Sequence, residues 1–449
     1  MVTVNELIEI GSKFIKRTRD LGADELEIYL ESRRNLSLRV INKYTTIREG
    51  IDAGVGIRAL VGKSIGFVSE STLNEESILE AIKVAIKIAK NKPEDPGLSH
   101  LPEPSKEYTA KGIFDKNLIE YHSDAFANMV RDSIAHAYDS CQLIKKVDFG
   151  FNRSIIKYAI VNSNGIQIGD KATVLSAYTD INVKKDDEEV TGVAFEVSRS
   201  IHERKILNLG VQAVRNAVSM FGGKKLKEAI TADAVIENQC VPDFLWPIQY
   251  NVNAQNVQNH RSKFIGKINE KVASEILTLV DDGTLPEGIR TVKSDGEGIA
   301  TRRKTIIEKG VLRSFIYDSY TAHKENKEST GNAQRGSFER PPRISFVNAV
   351  IEHGKGTLDD LVRETEKGVL IRGYMMGAHL TDPLKGTFAM TNINAQYIEH
   401  GEVKYPLKSI TVSGNFFDLL HKIYRVANDP KILPEGKYVS MIVKDLSFV

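Results

Sequence analysis

Histidine and glutamate at helical spacing are the side chains that would give this chain zinc-dependent chemistry. A zinc-peptidase helix carries two His on one face, with a Glu beside the first, so that metal and base converge. The only His-Glu pair in the sequence is His202-Glu203. Ile206 and Leu207 stand where a second His would be needed. The pair therefore does not predict a metal site, and a solvated loop is the favoured interpretation.

Other motifs of catalysis are also missing from the sequence. There is no Cys-x-x-Cys pair, no Gly-x-Ser-x-Gly nucleophile elbow and no Walker loop. Residues 222–225, Gly-Gly-Lys-Lys, lack the length and the Ser or Thr of a phosphate-binding loop. His122 and His136 lie on one predicted helix about four turns apart, roughly 20 Å, so they cannot share an ion. Cys240 and His260 follow no spacing rule for a thiol nucleophile, and a buried cysteine is the favoured interpretation.

Short polar turns that contain glycine remain as the chemical candidates in the C-terminal half. Each combines Gly with one or two polar groups, which suits either a tight hairpin or the rim of a peptide-binding surface. Taken singly, each is better interpreted as a turn. These turns lie at residues 294–298, 329–333, 376–379 and 413–415.

The composition limits the kind of protein that carries these turns. A length of 449 residues with 41% hydrophobic residues predicts two or three domains with large cores. The net charge is +2 and no stretch concentrates positive charge, so we expect no direct nucleic-acid binding. We expect no membrane span and no secretory signal. Cys141 and Cys240 form no disulfide framework, which predicts a cytoplasmic protein.

Helices and antiparallel strands must position the turns, and their pattern predicts an α+β fold. We expect an N-terminal α+β lobe at 1–105, a middle α+β lobe at 106–222 and a mainly β C-terminal domain at 223–449. Helical periodicity indicates one long helix from about 117 to 138, and Thr72 with Glu75 predicts a capping box. A hairpin turn with positive φ at both central residues is predicted at 164–165, and further hairpin turns are predicted at 309–310 and near 400–401.

Taken as a series, the C-terminal segments resemble the TldD/PmbA family, in particular its TldE (PmbA) branch. No single motif is specific, but their order and spacing fit the family over about residues 260–430, and the N-terminal half is collinear. The matching segments lie at 294–298, 301–303, 310–312, 318–322, 329–333, 377, 401–406, 410–415 and 426–429.

The resemblance implies a fold that two kinds of subunit share, and a different role for each of them. TldD subunits resemble zinc metallopeptidases with a His-Glu-x-x-x-His helix, and TldE subunits share the fold without that motif. The two assemble as a heterodimer that cleaves peptides or unfolded segments. The family also carries the label "modulator of DNA gyrase", which names a phenotype. In this chain the zinc-helix region corresponds to about residues 243–255, which contain no His, and Pro247 should disturb a helix there.

This chain is accordingly expected to hold no cofactor and no metal, with zinc in a TldD-like partner. Typical TldE sequences carry His where this one has Asn332, and more glycine around 382–386. The candidate peptide-binding residues, with no catalytic residue among them, are Asn332, Arg335, His379 and Thr381.

Three functions stay open from the sequence. The favoured one is a non-catalytic TldE-like subunit, inactive alone, that pairs with a TldD-like chain or with itself in isolation. We expect their interface to cover a sheet edge and to exceed roughly 1,000 Å². The second is a metallopeptidase in its own right, with ligands drawn from His260, His379 or His421 with Cys240. The third is a peptide-binding scaffold with no peptidase partner.

Overall fold

The N-terminal half of the chain forms a six-stranded antiparallel sheet with helices packed on it. The structure is a computed structural model that describes residues 2–111 and 113–449. The strands lie in the order β3-β2-β1-β4-β5-β6. The elements of this half are α1 (Val4–Ile15), β1 (Glu25–Ile41), β2 (Tyr44–Val61), β3 (Ser64–Glu70), α2 (Glu75–Asn91), α3 (Asn117–Glu120), α4 (Ser123–Ser140), β4 (Ile144–Asn162), β5 (Gln167–Lys185), β6 (Glu188–Ser198) and α5 (Glu203–Val218).

Alternation along the long strands decides which face of this sheet the helices cover. Side chains of successive strand residues point to opposite faces. On β1, Leu26, Ile28 and Leu30 pack in a core with α1 and α2, and Leu36 and Leu38 pack in a second core with α4 and α5. All five have even numbers, so both helix pairs cover the same face. The opposite face is left free for contact with the C-terminal domain.

Helix ends in this half differ from two of the predictions. The N-cap of α2 is Asn74, whose carboxamide accepts hydrogen bonds from the N–H groups of Glu76 and Ser77, so the predicted Thr72 capping box is wrong. Thr72 instead accepts from the N–H of Asn74. Asn74 lies directly before the helix and so meets the first free N–H groups, which Thr72 cannot reach.

The helix predicted from 117 to 138 is two helices, α3 and α4. The buried guanidinium of Arg153 explains the break, because its Nη1 donates to the carbonyl oxygens of Leu118 (3.3 Å) and Tyr121 (2.8 Å). Carbonyls that are used in this way are satisfied without a further helical turn. His122 then has an extended backbone before α4 begins.

The predicted hairpin turn at 164–165 also differs, since only Gly165 has positive φ, at 99°. The side chain of Asn162 forms this turn by accepting from the N–H groups of Asn164 and Ile166. The turns at 309–310 and 400–401 are confirmed, with φ of 45° and 78° and of 53° and 73°.

The C-terminal half is built mainly of short strands around one large apolar core. Its elements are β7 (Ile230–Ile236), α6 (Val241–Val252), α7 (Ala254–Gln258), β8 (Leu279–Asp282), β9 (Arg303–Glu308), β10 (Val311–Leu312), α8 (Ser319–His323), β11 (Ala333–Gln334), β12 (Arg343–Ile344), β13 (Ala349–Ile351), α9 (Leu358–Arg363), β14 (Lys367–Ile371), a 3-10 helix (Ala378–Leu380), β15 (Thr387–Asn392), β16 (Gln396–Glu399), β17 (Glu402–Pro406), β18 (Ile410–Asn415), α10 (Phe416–Lys422), β19 (Ile423–Val426), β20 (Lys431–Leu433), β21 (Gly436–Tyr438) and β22 (Met441–Phe448).

Two larger sheets and one small one organise these strands. The first runs β10-β9-β8-β13-β21-β20, and the second runs β15-β18-β22-β7-β14-β16-β17 with β19 added beside β22. Strands β11 and β12 pair separately. The pairs β13–β21 and β7–β14 are parallel. The predicted α+β class with a mainly β C-terminal domain is confirmed.

The long N-terminal sheet spans both of the lobes predicted before residue 222. Strands β1 and β4, one from each predicted lobe, are direct neighbours in antiparallel register. The boundaries at 105 and 222 stay predictions. Within residues 2–111 and 113–449, no helix combines the length and the apolar character that crossing a bilayer would need.

Candidate functional site

Helix α6 occupies the region that the resemblance aligns with a catalytic zinc helix. It runs from Val241 to Val252 without interruption, so the expectation that Pro247 disturbs a helix here is wrong. Proline removes one helical hydrogen bond. Burial of Phe244, Leu245 and Ile248 in the large C-terminal core outweighs that loss.

The outer face of α6 carries Asp243, Trp246, Gln249 and Tyr250, which are all partly exposed. The spacing of three to four residues places these side chains on one side of the helix. The indole N–H of Trp246 donates to the carbonyl of Ala378 (3.2 Å).

On the same face of α6, a carboxylate oxygen of Asp243 accepts from the N–H of Met375 (3.2 Å). The amide oxygen of Gln249 accepts from the N–H of Phe346 (3.0 Å) and from the hydroxyl of Ser345 (3.1 Å). The outer face of the helix therefore fastens two chain segments, one near residue 376 and one near residue 345.

These side chains do not fit a zinc ion. The face offers one carboxylate but neither an imidazole nor a thiol, whereas catalytic zinc takes three protein ligands, mostly His, Glu or Cys. In the part of the chain that the structure describes, no three His, Cys, Asp or Glu side chains are grouped so that they could hold a metal ion. Burial raises the pKa of the Cys240 thiol well above its ordinary value, which disfavours the thiolate that a metal would need. The alternative ligand set with His260, His379 and His421 thus gains no support.

Asn332, a predicted peptide-binding residue, is fully buried. Its amide N–H groups donate to a carboxylate oxygen of Asp281 (2.6 Å) and to the carbonyl of Ser345 (2.8 Å). Its amide oxygen accepts from the hydroxyl of Thr330 (2.7 Å). These bonds use most of its hydrogen-bonding capacity inside the protein.

Arg335, the second predicted residue, lies between the N-terminal sheet and the C-terminal domain. Its Nη2 donates to Oε1 of Glu27 on β1 (2.7 Å), and its guanidinium stacks 4.6 Å from the ring centroid of Tyr29. Only 1% of the side chain is exposed. The structure therefore assigns Arg335 a contact between domains, which the sequence did not indicate.

His379 and Thr381 lie in and directly after the 3-10 helix that Trp246 contacts through Ala378. His379 is exposed and Thr381 is buried. These two residues thus belong to the segment that Trp246 contacts. Asn332 is connected to the other segment that α6 contacts, through its hydrogen bond to the carbonyl of Ser345. A role of these residues in peptide binding stays a prediction.

A buried ion-pair network at the same junction was missed by sequence reasoning. Arg58 on β2 donates from Nε to Glu27 (2.9 Å) and from Nη1 to Glu297 of the C-terminal domain (2.8 Å). With Arg335 these form a cluster of two carboxylates and two guanidiniums, called here the junction quartet. A signal did exist, because Glu27 and Arg58 are direct cross-strand neighbours in the β1–β2 register.

Titration within the quartet follows from burial and neighbouring charge. Burial acts against ionisation of Glu297, but the guanidinium of Arg58 outweighs it and lowers the pKa of that carboxyl. Glu297 also accepts from the N–H of Ser319 (3.0 Å). Nearby Asp295 shifts the other way, since burial and the charge of Glu297 raise its pKa. The network thus keeps Glu297 charged beside an Asp295 that favours its neutral form.

Three domain models of one protein family together match most of the chain. Residues 26–89 match the model for PmbA/TldA metallopeptidase domain 1, residues 116–221 the central domain and residues 230–449 the C-terminal domain. The chain belongs to the PmbA/TldD family. This confirms the resemblance to the TldD/PmbA family that was inferred from the series of C-terminal segments.

Relatives of this PmbA/TldD chain match over most of their length. An uncharacterised protein of Methanocaldococcus jannaschii is 28% identical over 438 residues, 97% of each chain. A metalloprotease of the same organism is 26% identical over 409 residues, 86% of each chain. The crystal structure of TldE from Thermococcus kodakarensis has a TM-score of 0.89 at 24% identity, covering 98% of this chain and 100% of that one. That likeness shows a shared fold.

Asp243 on α6 supplies a pH-dependent prediction, because burial raises its pKa to about 6 from the ordinary 3.8. A folded state that binds the proton more tightly than the unfolded one loses stability as pH rises from 4 to 7. We expect Asp243→Asn to raise the melting temperature at pH 7.5 by a few degrees and to change it little at pH 4. Melting curves across this range test it, and an equal effect at both pH values would contradict it.

Arg335 supplies a second prediction, about the junction quartet. Arg335→Met leaves the Glu27 carboxylate buried with one cation fewer. We therefore expect the free energy of unfolding to fall by about 3 kcal/mol, which a clear fall in melting temperature would show. Arg313→Met is the matched control, since its ion pair with Glu308 is exposed and worth under about 1 kcal/mol. If Arg335→Met kept the melting temperature but lost peptide binding, Arg335 would belong to a binding surface instead.

Proposed function

We propose that this chain is a TldE/PmbA-like, non-catalytic subunit of a TldD/TldE-type metallopeptidase complex that acts on peptides or unfolded segments. The observation that most supports this proposal is the set of side chains on the outer face of α6. It occupies the region of the family's zinc helix, yet it presents Asp243, Trp246, Gln249 and Tyr250. Without imidazole or thiolate ligands, the helix offers no place to lower the pKa of a metal-bound water. Zinc and the catalytic step would then belong to a TldD-like partner.

An exposed sheet edge supports the partnership. Strand β3 pairs with β2 only from Val55 onward, so in the described part of the chain residues 44–54 of β2 have no strand on their outer side. Along this edge Tyr44 is 72% exposed, Ile47 43% and Ile51 56%. A long edge with free backbone groups and apolar side chains favours pairing with another chain. We propose that a TldD-like subunit covers it, or a second copy of this chain in isolation.

Peptide contact is the proposed contribution of the segments beside α6. His379 is exposed next to the contact of Trp246 with Ala378, and so it is the predicted residue best placed for a substrate. Asn332 and Arg335 would act indirectly, by holding segments that flank the helix. Neither nucleic-acid binding nor a cofactor in this chain is part of the proposal. The cytoplasmic location predicted from cysteine usage stays a prediction.

Reconstitution with a TldD-like chain from the same genome tests the proposal. We expect the purified chain to contain far less than one zinc per molecule and to leave an unfolded test peptide intact. The partner with its His-Glu-x-x-x-His helix should bring zinc, and cleavage should be highest when both chains are present. Elemental analysis and mass spectrometry of the peptide provide the two measurements.

Two outcomes would contradict this proposal in different ways. Near-stoichiometric zinc with hydrolysis by the chain alone would make it a metallopeptidase in its own right. Failure to co-purify with any chain that carries the zinc motif, with unchanged cleavage on mixing, would make it a binding or scaffold protein.

The β2 edge gives a prediction of its own. Ile51→Lys places a charge on the exposed edge, where it should weaken strand pairing with a partner without disturbing the monomer core. We expect light scattering to show at least a tenfold loss of complex at a concentration near the dissociation constant. Val84→Lys, at a 47% exposed position on α2, is the matched control. Equal assembly of both variants would remove this edge from the interface.

A further inference from the structure

A cleft of about 420 Å³ separates the N-terminal sheet from the C-terminal domain beside the junction quartet. One wall is formed by β1, β4 and β5, and the other by residues 289–296 and 334–336. Apolar side chains line part of it: Ile156, Ala172, Val174, Ile289 and Val292. Clefts between domains are common places for small ligands.

The charged groups that line this cleft are mostly cationic. Four are arginines, Arg33, Arg199, Arg290 and Arg335, and two are acids, Glu31 and Asp295. Asp295 contributes little negative charge, because burial and the charge of Glu297 raise its pKa to about 8, which outweighs the lowering by the three backbone N–H groups that it accepts from. The cleft therefore presents excess positive charge to whatever enters.

Arg199 differs from Arg33 and Arg335, which form ion pairs with Glu31 and Glu27, in having no direct carboxylate partner among the described residues. Its side chain is buried, with the residue 3% exposed, and it donates to the carbonyls of Thr173 (3.2 Å), Gly288 (3.1 Å) and Thr291 (2.9 Å). Its hydrogen bonds are satisfied, and it forms no direct ion pair among residues 2–111 and 113–449, although the carboxylate of Asp170 on β5 is near enough to favour its charged form. A buried guanidinium with no direct ion pair is costly, and an anion in the adjoining cleft would offset part of that cost.

Unused hydroxyl groups lie in both walls. Tyr158 on β4 is 6% exposed and Ser294 of the C-terminal domain is 2% exposed. Neither hydroxyl has a well-formed hydrogen bond among the described residues, although the Ser294 hydroxyl lies close enough to Tyr158 to act on its pKa, and the amide nitrogen of Gln334 is also without a partner there. Buried polar groups are nearly always paired, so unpaired ones that line a cleft point to a missing ligand or solvent. All three can donate, which matches an acceptor-rich group.

We propose that this cleft binds the carboxylate end of a small apolar molecule, with the carboxylate beside the hydroxyls of Tyr158 and Ser294 and near Arg199. A carboxylate combines negative charge with several acceptor positions. The apolar lining would take a hydrocarbon side chain beside it. The C-terminal residue of a short peptide has this chemistry, and so does a free carboxylic acid. The inference goes beyond the proposed function, since such binding needs neither zinc nor a partner subunit.

Calorimetry on the full chain tests the site with four probes: N-acetyl-leucine, its amide, the tripeptide Ala-Ala-Leu and its C-terminal amide. We expect both carboxylates to bind and both amides to bind at least about tenfold more weakly, as for loss of a hydrogen-bonded charge. Tighter binding of the tripeptide would identify a peptide end as the ligand. Equal binding of the two carboxylates would identify a free acid, and either result supports the site.

Removing the unpaired hydroxyls separates binding from folding. Tyr158→Phe and Ser294→Ala remove no well-formed hydrogen bond of the free protein and at most a weak contact between the two hydroxyls, so we expect nearly unchanged melting temperatures and about tenfold weaker carboxylate binding. Thr179→Val is the matched control, because the Thr179 hydroxyl is also buried and unpaired among the described residues but does not line the cleft.

Three results would overturn the site. The first is no detectable binding of either carboxylate. The second is equal affinity for carboxylates and amides. The third is unchanged affinity in both hydroxyl variants.

Discussion

Burial of four charges at one junction is the constraint on which the rest of the structure depends. Glu27 and Arg58 come from the N-terminal sheet, and Glu297 and Arg335 come from the C-terminal domain. Their formal charges sum to zero, and each carboxylate has a guanidinium within ion-pair distance. Such a set adds little net stability over apolar packing. It is strongly directional, however, because another docking of the two domains that kept this surface covered would leave charges buried without their partners.

The fixed junction determines what lies beside it. Arg335 links Glu27 to the segment that follows Asn332, and that segment reaches α6 through Ser345 and Gln249. The outer face of α6 is thereby tied to the N-terminal sheet, although these elements are far apart in sequence. The same close approach forms the walls of the arginine-lined cleft. One arrangement of charges thus positions both the helix surface and the cavity.

Sequence reasoning succeeded where structure is local or where a long series of motifs could be compared. Periodicity predicted the α+β class, and Gly310 and Gly401 marked hairpin turns correctly. It failed where a distant side chain decides the outcome. Arg153 ends α3 by binding its carbonyls, and no local pattern near residue 121 reports that. Arg335 was likewise predicted to bind peptide, because its partner Glu27 is 308 positions away and no local pattern indicates their contact.

The two faces of α6 serve different contacts. Its inner face belongs to the C-terminal core, so the fold needs the helix whether or not it does chemistry. Its outer face uses Trp246 and Gln249 to hold the flanking segments, a task that metal ligands could not perform while bound to an ion. These polar side chains are thus committed to contacts within the chain. Under the proposed function, a chain built in this way would shape a surface for a partner's chemistry.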